Sequence, residues 1–198
     1  MTALSALSQR VCRAGLWFGG ALILLAAVVI GIDVLMRKFL DRSIGGADEL
    51  AGYALAIGTA WALGAALLDR SHIRIDSLYV LFPAPLRVAL DLAGLALFIA
   101  FFGLVAWHGL GVVEQSWVSG SRSQSALETP TVIPQAIWIA GLAVFLASAA
   151  LLLLRAAALA LAGDLGAVVR IAGTRSAEEE VEDEIRDLKE RAAREAGR

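Results

Sequence analysis

The segment Gly64-Ala65-Ala66-Leu67-Leu68-Asp69-Arg70-Ser71-His72-Ile73-Arg74-Ile75-Asp76 ends a long apolar run in a dense cluster of charged residues. The run itself, residues 50–68, is 19 residues long and contains no charged side chain. A helix needs about 20 apolar residues to cross a bilayer core of about 30 Å. The segment therefore predicts that a membrane-spanning helix ends here and that a polar loop follows it.

Three other apolar runs, residues 14–32, 92–113 and 129–154, have the same character. The chain is 59% hydrophobic with a mean hydropathy of +0.73, whereas soluble domains are about 45–50% apolar. We predict an all-α integral membrane protein with four transmembrane helices, at about residues 14–36, 47–68, 87–114 and 133–156. This transmembrane domain would occupy residues 14–158, between cytoplasmic residues 1–13 and a cytoplasmic extension, residues 159–198.

The first apolar run is longer than the 7–15 residues of a signal-peptide core, and no small-residue cleavage site follows it. We therefore expect an uncleaved anchor. Lysine and arginine near the span ends then give the orientation, because cytoplasmic loops carry an excess of both. Eight lie on the side of the termini (Arg10, Arg13, Arg70, Arg74, Arg87, Arg155, Arg170, Arg175) and four on the other side (Arg37, Lys38, Arg42, Arg122). This distribution predicts that both termini are cytoplasmic.

Two segments outside the spans have predicted structures of their own. Residues 76–85 are apolar but too short to cross a bilayer, and they contain Pro83 and Pro85. We expect them to form a short interfacial segment between the second and third helices. Residues 178–198 hold nine acidic and five basic residues, with opposite charges four apart such as Glu182 and Arg186. That spacing predicts a charged cytoplasmic C-terminal helix.

Few residues in the chain are suited to chemistry. Only His72 and His108 can ligate haem or a metal ion, and their predicted positions near opposite membrane faces prevent them from sharing one iron. Cys12 is the only cysteine, so no disulfide can form within the chain. We predict no catalytic site, no cofactor and no metal site, hence no enzyme. The charge balance also gives no indication of nucleic-acid binding.

The predicted spans contain several small residues that allow helices to approach closely. Gly15 and Gly19 form one small-xxx-small pair, and Ala60 and Gly64 form another. The polar side chains within the spans are few, which is sparse for an ion pathway. These features favour a membrane scaffold, with a stand-alone channel or exporter and a membrane electron carrier as the alternatives.

The residues around the second span carry a resemblance to a known family. An acidic pair opens the span, a Gly-Ala step lies near its end and a His-Ile-x-x-Asp motif follows: Asp48, Glu49, Gly64, Ala65, His72, Ile73 and Asp76. Thr129-Pro130 and Pro134-Gln135-Ala136-Ile137-Trp138 open the fourth span. Over about residues 10–158 the chain resembles the small membrane subunit (DctQ type) of tripartite ATP-independent periplasmic (TRAP) transporters. It departs from many relatives at Gly45-Gly46, where they carry tryptophan.

This resemblance implies a subunit of a sodium-coupled importer of organic anions, often carboxylates, in the bacterial inner membrane. The implied partners are a large multi-span membrane subunit, a periplasmic substrate-binding protein and membrane lipids. The subunit-interface or structural residues that it implies are Asp48, Glu49, Gly64, Arg70, His72 and Asp76. Two interpretations of Glu49 stay open: its carboxylate favours the positive end of the second helix, or it forms a salt bridge to the large subunit.

Overall fold

The computed structural model describes residues 2–70, 82–173, 185–186 and 188–189. In these residues the named helices are α1 (Thr2–Leu40), α2 (Ala47–Leu68), α3 (Ala84–Ser119), α4 (Val132–Leu161) and α5 (Leu165–Ala172). The described part of the chain contains no β-strand, only an isolated bridge between Arg122 and Pro130. Helices α1 to α4 are each long and apolar enough to cross a membrane. The prediction of an all-α protein with four such helices is therefore confirmed.

All four long helices extend beyond the apolar runs from which they were predicted. Helix α1 has 39 residues and α3 has 36, so at 1.5 Å per residue each exceeds the thickness of a bilayer core. The first span was expected to begin near residue 14, which lies inside α1, and the helix itself begins at Thr2. Hydropathy detects only the apolar part of a helix, because polar helix-forming residues continue it outside the apolar region.

The helices lie in a row in the order α1, α2, α4, α3. Helix α1 packs mainly against α2, α2 packs against α4, and α4 packs against α3. Helix α1 touches α4 in a smaller contact, and α3 makes no comparable contact with α1 or α2 within the described residues. Helices α2 and α4 therefore form the centre of the row, and α1 and α3 form its two edges.

The contact between α1 and α2 is a direct approach of two backbones. A Cβ atom placed on Gly19 would lie 2.5 Å from the carbonyl oxygen of Gly58, and one placed on Gly15 would lie 2.8 Å from that of Trp61. Both distances are shorter than van der Waals contact, so these positions require glycine. The small residues Gly15 and Gly19 of α1 thus serve association inside this chain: Gly19 meets Gly58 of α2, and Gly15 meets Trp61.

An aromatic cluster joins α3 to the centre of the row. Phe145 of α4 is completely buried, and its ring meets those of Phe98 and Phe102 edge-on, at centroid distances of 5.5 and 5.0 Å. Leu67 of α2 and Leu95 of α3 are buried in the same cluster. Edge-to-face rings at these distances are favourable beyond their buried area, so this cluster attaches α3 to α4.

Helix α5 folds back onto α3 and α4. The Asp164 carboxylate accepts a hydrogen bond from the amide of Ala167 at 2.9 Å and caps the helix. Val168 is completely buried against Val88 of α3 and Ala156 of α4. The predicted interfacial segment falls mainly on residues 71–81 and the charged helix mainly on residues 174–198, so both lie largely outside the described residues.

Candidate functional site

At one end of the row, here called the loop end, the α1–α2 loop (residues 41–46) contacts the α3–α4 loop (residues 120–131). Gly46 adopts a φ of +91°, and a Cβ atom there would lie 2.6 Å from Cγ of Leu127. Left-handed backbone and close approach both favour glycine at this position. The Gly45-Gly46 pair therefore allows the two loops to meet.

Glu49 joins the first turn of α2 to the α3–α4 loop. Its Oε2 atom accepts a hydrogen bond from Ser125 Oγ, and Ser125 Oγ also accepts the amide of Leu127 at 3.1 Å. The other carboxylate oxygen of Glu49 is buried and has no hydrogen-bond partner among the described residues. Gly46 is the N-cap of α2, and no side-chain hydrogen bond caps the helix. That the Glu49 carboxylate in the first turn favours the positive end of α2 stays a prediction. A salt bridge from Glu49 to another subunit stays a prediction.

Asp33 fastens the other side of the loop end. Its side chain is 1% exposed, and its Oδ1 atom accepts hydrogen bonds from the Ile44 amide at 2.6 Å and from Ser43 Oγ at 2.9 Å. Oδ2 forms an ion pair with Arg37, one helical turn further along. Arg37 also lies 3.6 Å from Asp48, whose side chain is 83% exposed. Because exposed pairs contribute little, the bonds from Asp33 to the loop are the stronger part of this cluster.

Gly64 lies toward the opposite end, where α1, α2 and α4 meet. A Cβ atom on Gly64 would be 2.7 Å from Sγ of Cys12, and Cys12 Sγ is 3.2 Å from Ser148 Oγ. Ser8 donates a hydrogen bond to the same Ser148 hydroxyl at 2.9 Å, and Ser148 donates to the carbonyl of Val144. Gly64 therefore makes room for a small polar contact that links α1 to α4.

Trp61 connects the three helices near the middle of α2. Its indole Nε1 donates to the Ile137 carbonyl at 3.0 Å, and a Cβ atom on Gly141 would be 2.7 Å from the indole ring. Its ring also meets Phe18 edge-on at 5.5 Å. Sequence reasoning missed the roles of Gly58, Ser125 and Gly141, because only the pairing of helices shows which small residues face each other.

The six residues singled out in the sequence do not form one site. Asp48 and Glu49 lie at the loop end, whereas Gly64 and Arg70 lie toward the other end of α2. Arg70 occupies the turn after α2 with a φ of +54°, and its amide donates to the Leu67 carbonyl at 3.1 Å. His72 and Asp76 lie outside the described residues.

The described residues contain no group of three or more His, Cys, Asp or Glu side chains able to hold a metal ion. An open cleft of about 300 Å³ lies between α1 and α2 and is lined by Arg10, Arg13 and Asp69, among others. The clusters described above share one property: their polar groups connect helices and loops to each other. Their chemistry is that of packing and positioning.

Apolar helices of spanning length, held together by close packing and by contacts between their loops, are typical of a multi-span membrane protein. Residues 26–159 match the family described as tripartite ATP-independent periplasmic transporters, DctQ component. Since the match covers more than half of the chain, the chain belongs to the DctQ family, and the resemblance noted in the sequence is confirmed. No significant match was found among curated proteins or among solved structures.

Proposed function

We propose that this chain gives the large membrane subunit of a sodium-coupled importer of organic anions a fixed support in the bilayer. Family membership makes it the small component of a TRAP transporter, a system that also has a large membrane subunit and a periplasmic binding protein. Carboxylates are the substrate class that we propose. We place the complex in the bacterial inner membrane, with both termini of this chain in the cytoplasm.

The observation that carries the proposal is the direct backbone contact of α1 with α2 at Gly19 and Gly58. Helices in lipid associate through close packing and buried polar contacts. Helices held this tightly are suited to remaining fixed while another subunit moves. The hydrogen bond from Ser125 to Glu49 and the bonds of Asp33 to the α1–α2 loop add constraints at the loop end. DctQ is a family of transporter components, and we propose no enzymatic activity.

The test is transport by reconstituted proteoliposomes. Three kinds of liposome are prepared: with the large subunit and this chain, with the large subunit alone, and with this chain alone. Uptake of a radiolabelled carboxylate is then measured with the binding protein outside the liposomes. An inward sodium gradient should drive uptake only when both membrane subunits are present, and a matched potassium gradient should not. Full uptake by the large subunit alone would refute the supporting role. Solute flux through this chain alone would favour a stand-alone channel or exporter.

A further inference from the structure

Helix α3, at one edge of the row, presents an exposed face that no other part of the described chain covers. Positions on this face follow each other at alternating intervals of four and three residues, and all eight are exposed: Leu90, Gly94, Leu97, Phe101, Leu104, His108, Gly111 and Gln115. We call this set the α3 seam. A stripe with this 3.5-residue period is the surface along which two helices pack at a small crossing angle.

The α3 seam contains one ionisable side chain, His108, within the span expected at residues 87–114. His108 lies six residues before the expected end of that span, which corresponds to about 9 Å along the helix. It is exposed, and no hydrogen bond or ion pair joins its imidazole to any residue that the structure describes. Ionisable side chains inside a membrane almost always face protein or water and pair with another group. Hydrocarbon offers no such partner, so the position of His108 indicates protein contact.

The opposite edge of the row provides the comparison. On α1 the same spacing gives a face that is also exposed: Trp17, Ala21, Leu24, Val28, Gly31 and Leu35. Every one of these side chains is apolar, so lipid alone satisfies this face. The two faces have similar geometry and exposure, but within the expected spans only the α3 seam carries an ionisable side chain, His108. On α1 the same spacing reaches ionisable residues only at Arg10 and Lys38, outside the span expected at residues 14–36.

We propose that the α3 seam packs against a membrane-spanning helix of the large subunit, and that this helix presents a hydrogen-bonding group to His108. The proposal rests on the proposed function and adds the surface through which it acts. Gly94 and Gly111 have no atom within 4 Å of an added Cβ, so they leave room for the close approach that small residues allow between membrane helices. Phe101 and Leu104, 61% and 59% exposed, supply large apolar contacts between them.

Site-specific photo-crosslinking tests which edge meets the large subunit. A photoreactive amino acid is placed at Leu104 on the α3 seam or at Leu24 on α1, two leucines with 59% and 68% exposure. Both variants are co-expressed with the large subunit, irradiated in membranes and analysed for adducts. We expect an adduct with the large subunit from position 104 and none from position 24. An adduct from position 24 alone, or from neither position in a complex that purifies intact, would overturn the proposal.

Matched substitutions test the chemistry of the same face. Gly111→Leu and Gly31→Leu both add bulk into open space, so neither should lower the stability of the chain expressed alone. We expect Gly111→Leu and His108→Leu to reduce the large subunit retained in a pull-down about threefold to tenfold, as loss of one helix contact or interhelical hydrogen bond implies. Gly31→Leu should have no effect, and His108→Gln should restore retention because its amide hydrogen-bonds.

The two proposals fail in different ways. If the unaltered chain retains no large subunit, the proposed function is wrong and the seam assignment falls with it. If the unaltered chain retains the large subunit but Gly111→Leu and His108→Leu retain it equally well, only the seam assignment is wrong. A loss of retention by Gly31→Leu alone would place the contact on α1.

Discussion

The contact between α1 and α2 yields a prediction with an internal control, because adjacent glycines of one helix have opposite surroundings. A Cβ atom at Gly19 would lie 2.5 Å from the Gly58 carbonyl oxygen and 3.0 Å from its Cα, whereas one at Gly20 meets nothing within 4 Å. Gly19→Ala and Gly20→Ala add the same methyl group to neighbouring positions of α1. They therefore gain the same helix propensity and differ only in what the methyl group meets.

The size of the effect follows from the overlap. Ordinary van der Waals contact of a Cβ atom begins at 3.4 Å, so in Gly19→Ala the two backbones must separate by about 0.9 Å. The obstructing atoms belong to the α2 backbone, which cannot rotate away as a side chain can. Overpacking of this kind typically costs about 1–3 kcal/mol. We expect Gly19→Ala to be less stable than Gly20→Ala by that amount, and Gly20→Ala to equal or slightly exceed the original chain.

The measurement is unfolding of the purified chain in mixed micelles with increasing amounts of a denaturing detergent. Helix content and total tryptophan fluorescence are followed together; Trp61, which contacts both α1 and α4, contributes to the fluorescence with four other tryptophans. Equal free energies of unfolding for the two alanine variants would refute the proposed α1–α2 contact. A loss of stability in Gly20→Ala alone would mean that α1 is rotated about its axis relative to the described packing.

Three further predictions concern contacts made elsewhere in the fold. Trp61→Phe removes the indole hydrogen bond to the Ile137 carbonyl and should lower the free energy of unfolding by about 0.5–1.5 kcal/mol. Trp17→Phe, at a 76% exposed position, is the control. Equal free energies of unfolding for the two variants would contradict the hydrogen bond of Trp61. Asp33→Ala removes the acceptor of the Ile44 amide, so hydrogen exchange at that amide should accelerate; unchanged exchange would show that the loop is held by other contacts. Val168→Asp buries a carboxylate in the α5 contact and should expose residues 165–172 to protease while leaving detergent unfolding of the spans nearly unchanged, because α5 can detach alone. Continued protection of α5 would be inconsistent with the described docking.

Local patterns in the sequence predicted the features that depend on neighbouring residues. The second span was expected at residues 47–68, and α2 begins and ends there, because Gly46 and the charged turn at Asp69 bound it. The ion pair of Asp33 and Arg37 joins residues four apart on one helix, a spacing that brings side chains together on one face. Each of these features is determined by residues that are close together in the sequence.

Features that depend on which helices pack together could not be predicted from the sequence. Gly15 and Gly19 were recognised as a close-packing pair, but their partners on α2, Trp61 and Gly58, depend on the register between two helices. The bond between Glu49 and Ser125 joins residues 76 positions apart, and it exists only because the row brings both loops to one end. Helix α5 was missed because eight residues with one apolar side are too short to stand out from a hydropathy profile.

The order of helices in the row differs from their order along the chain, and this has a consequence for biosynthesis. Helix α1 is synthesised before α2, so α2 can pack against α1 as soon as α2 has left the ribosome. Helix α3 comes next, yet the described helices that hold it, α4 and α5, are both synthesised later. During translation, α3 therefore lacks its packing partners α4 and α5 until they have been synthesised. In a nascent chain stopped before residue 132, α1 and α2 should pack together, whereas α3 should stay joined to them only through the chain, without stable packing.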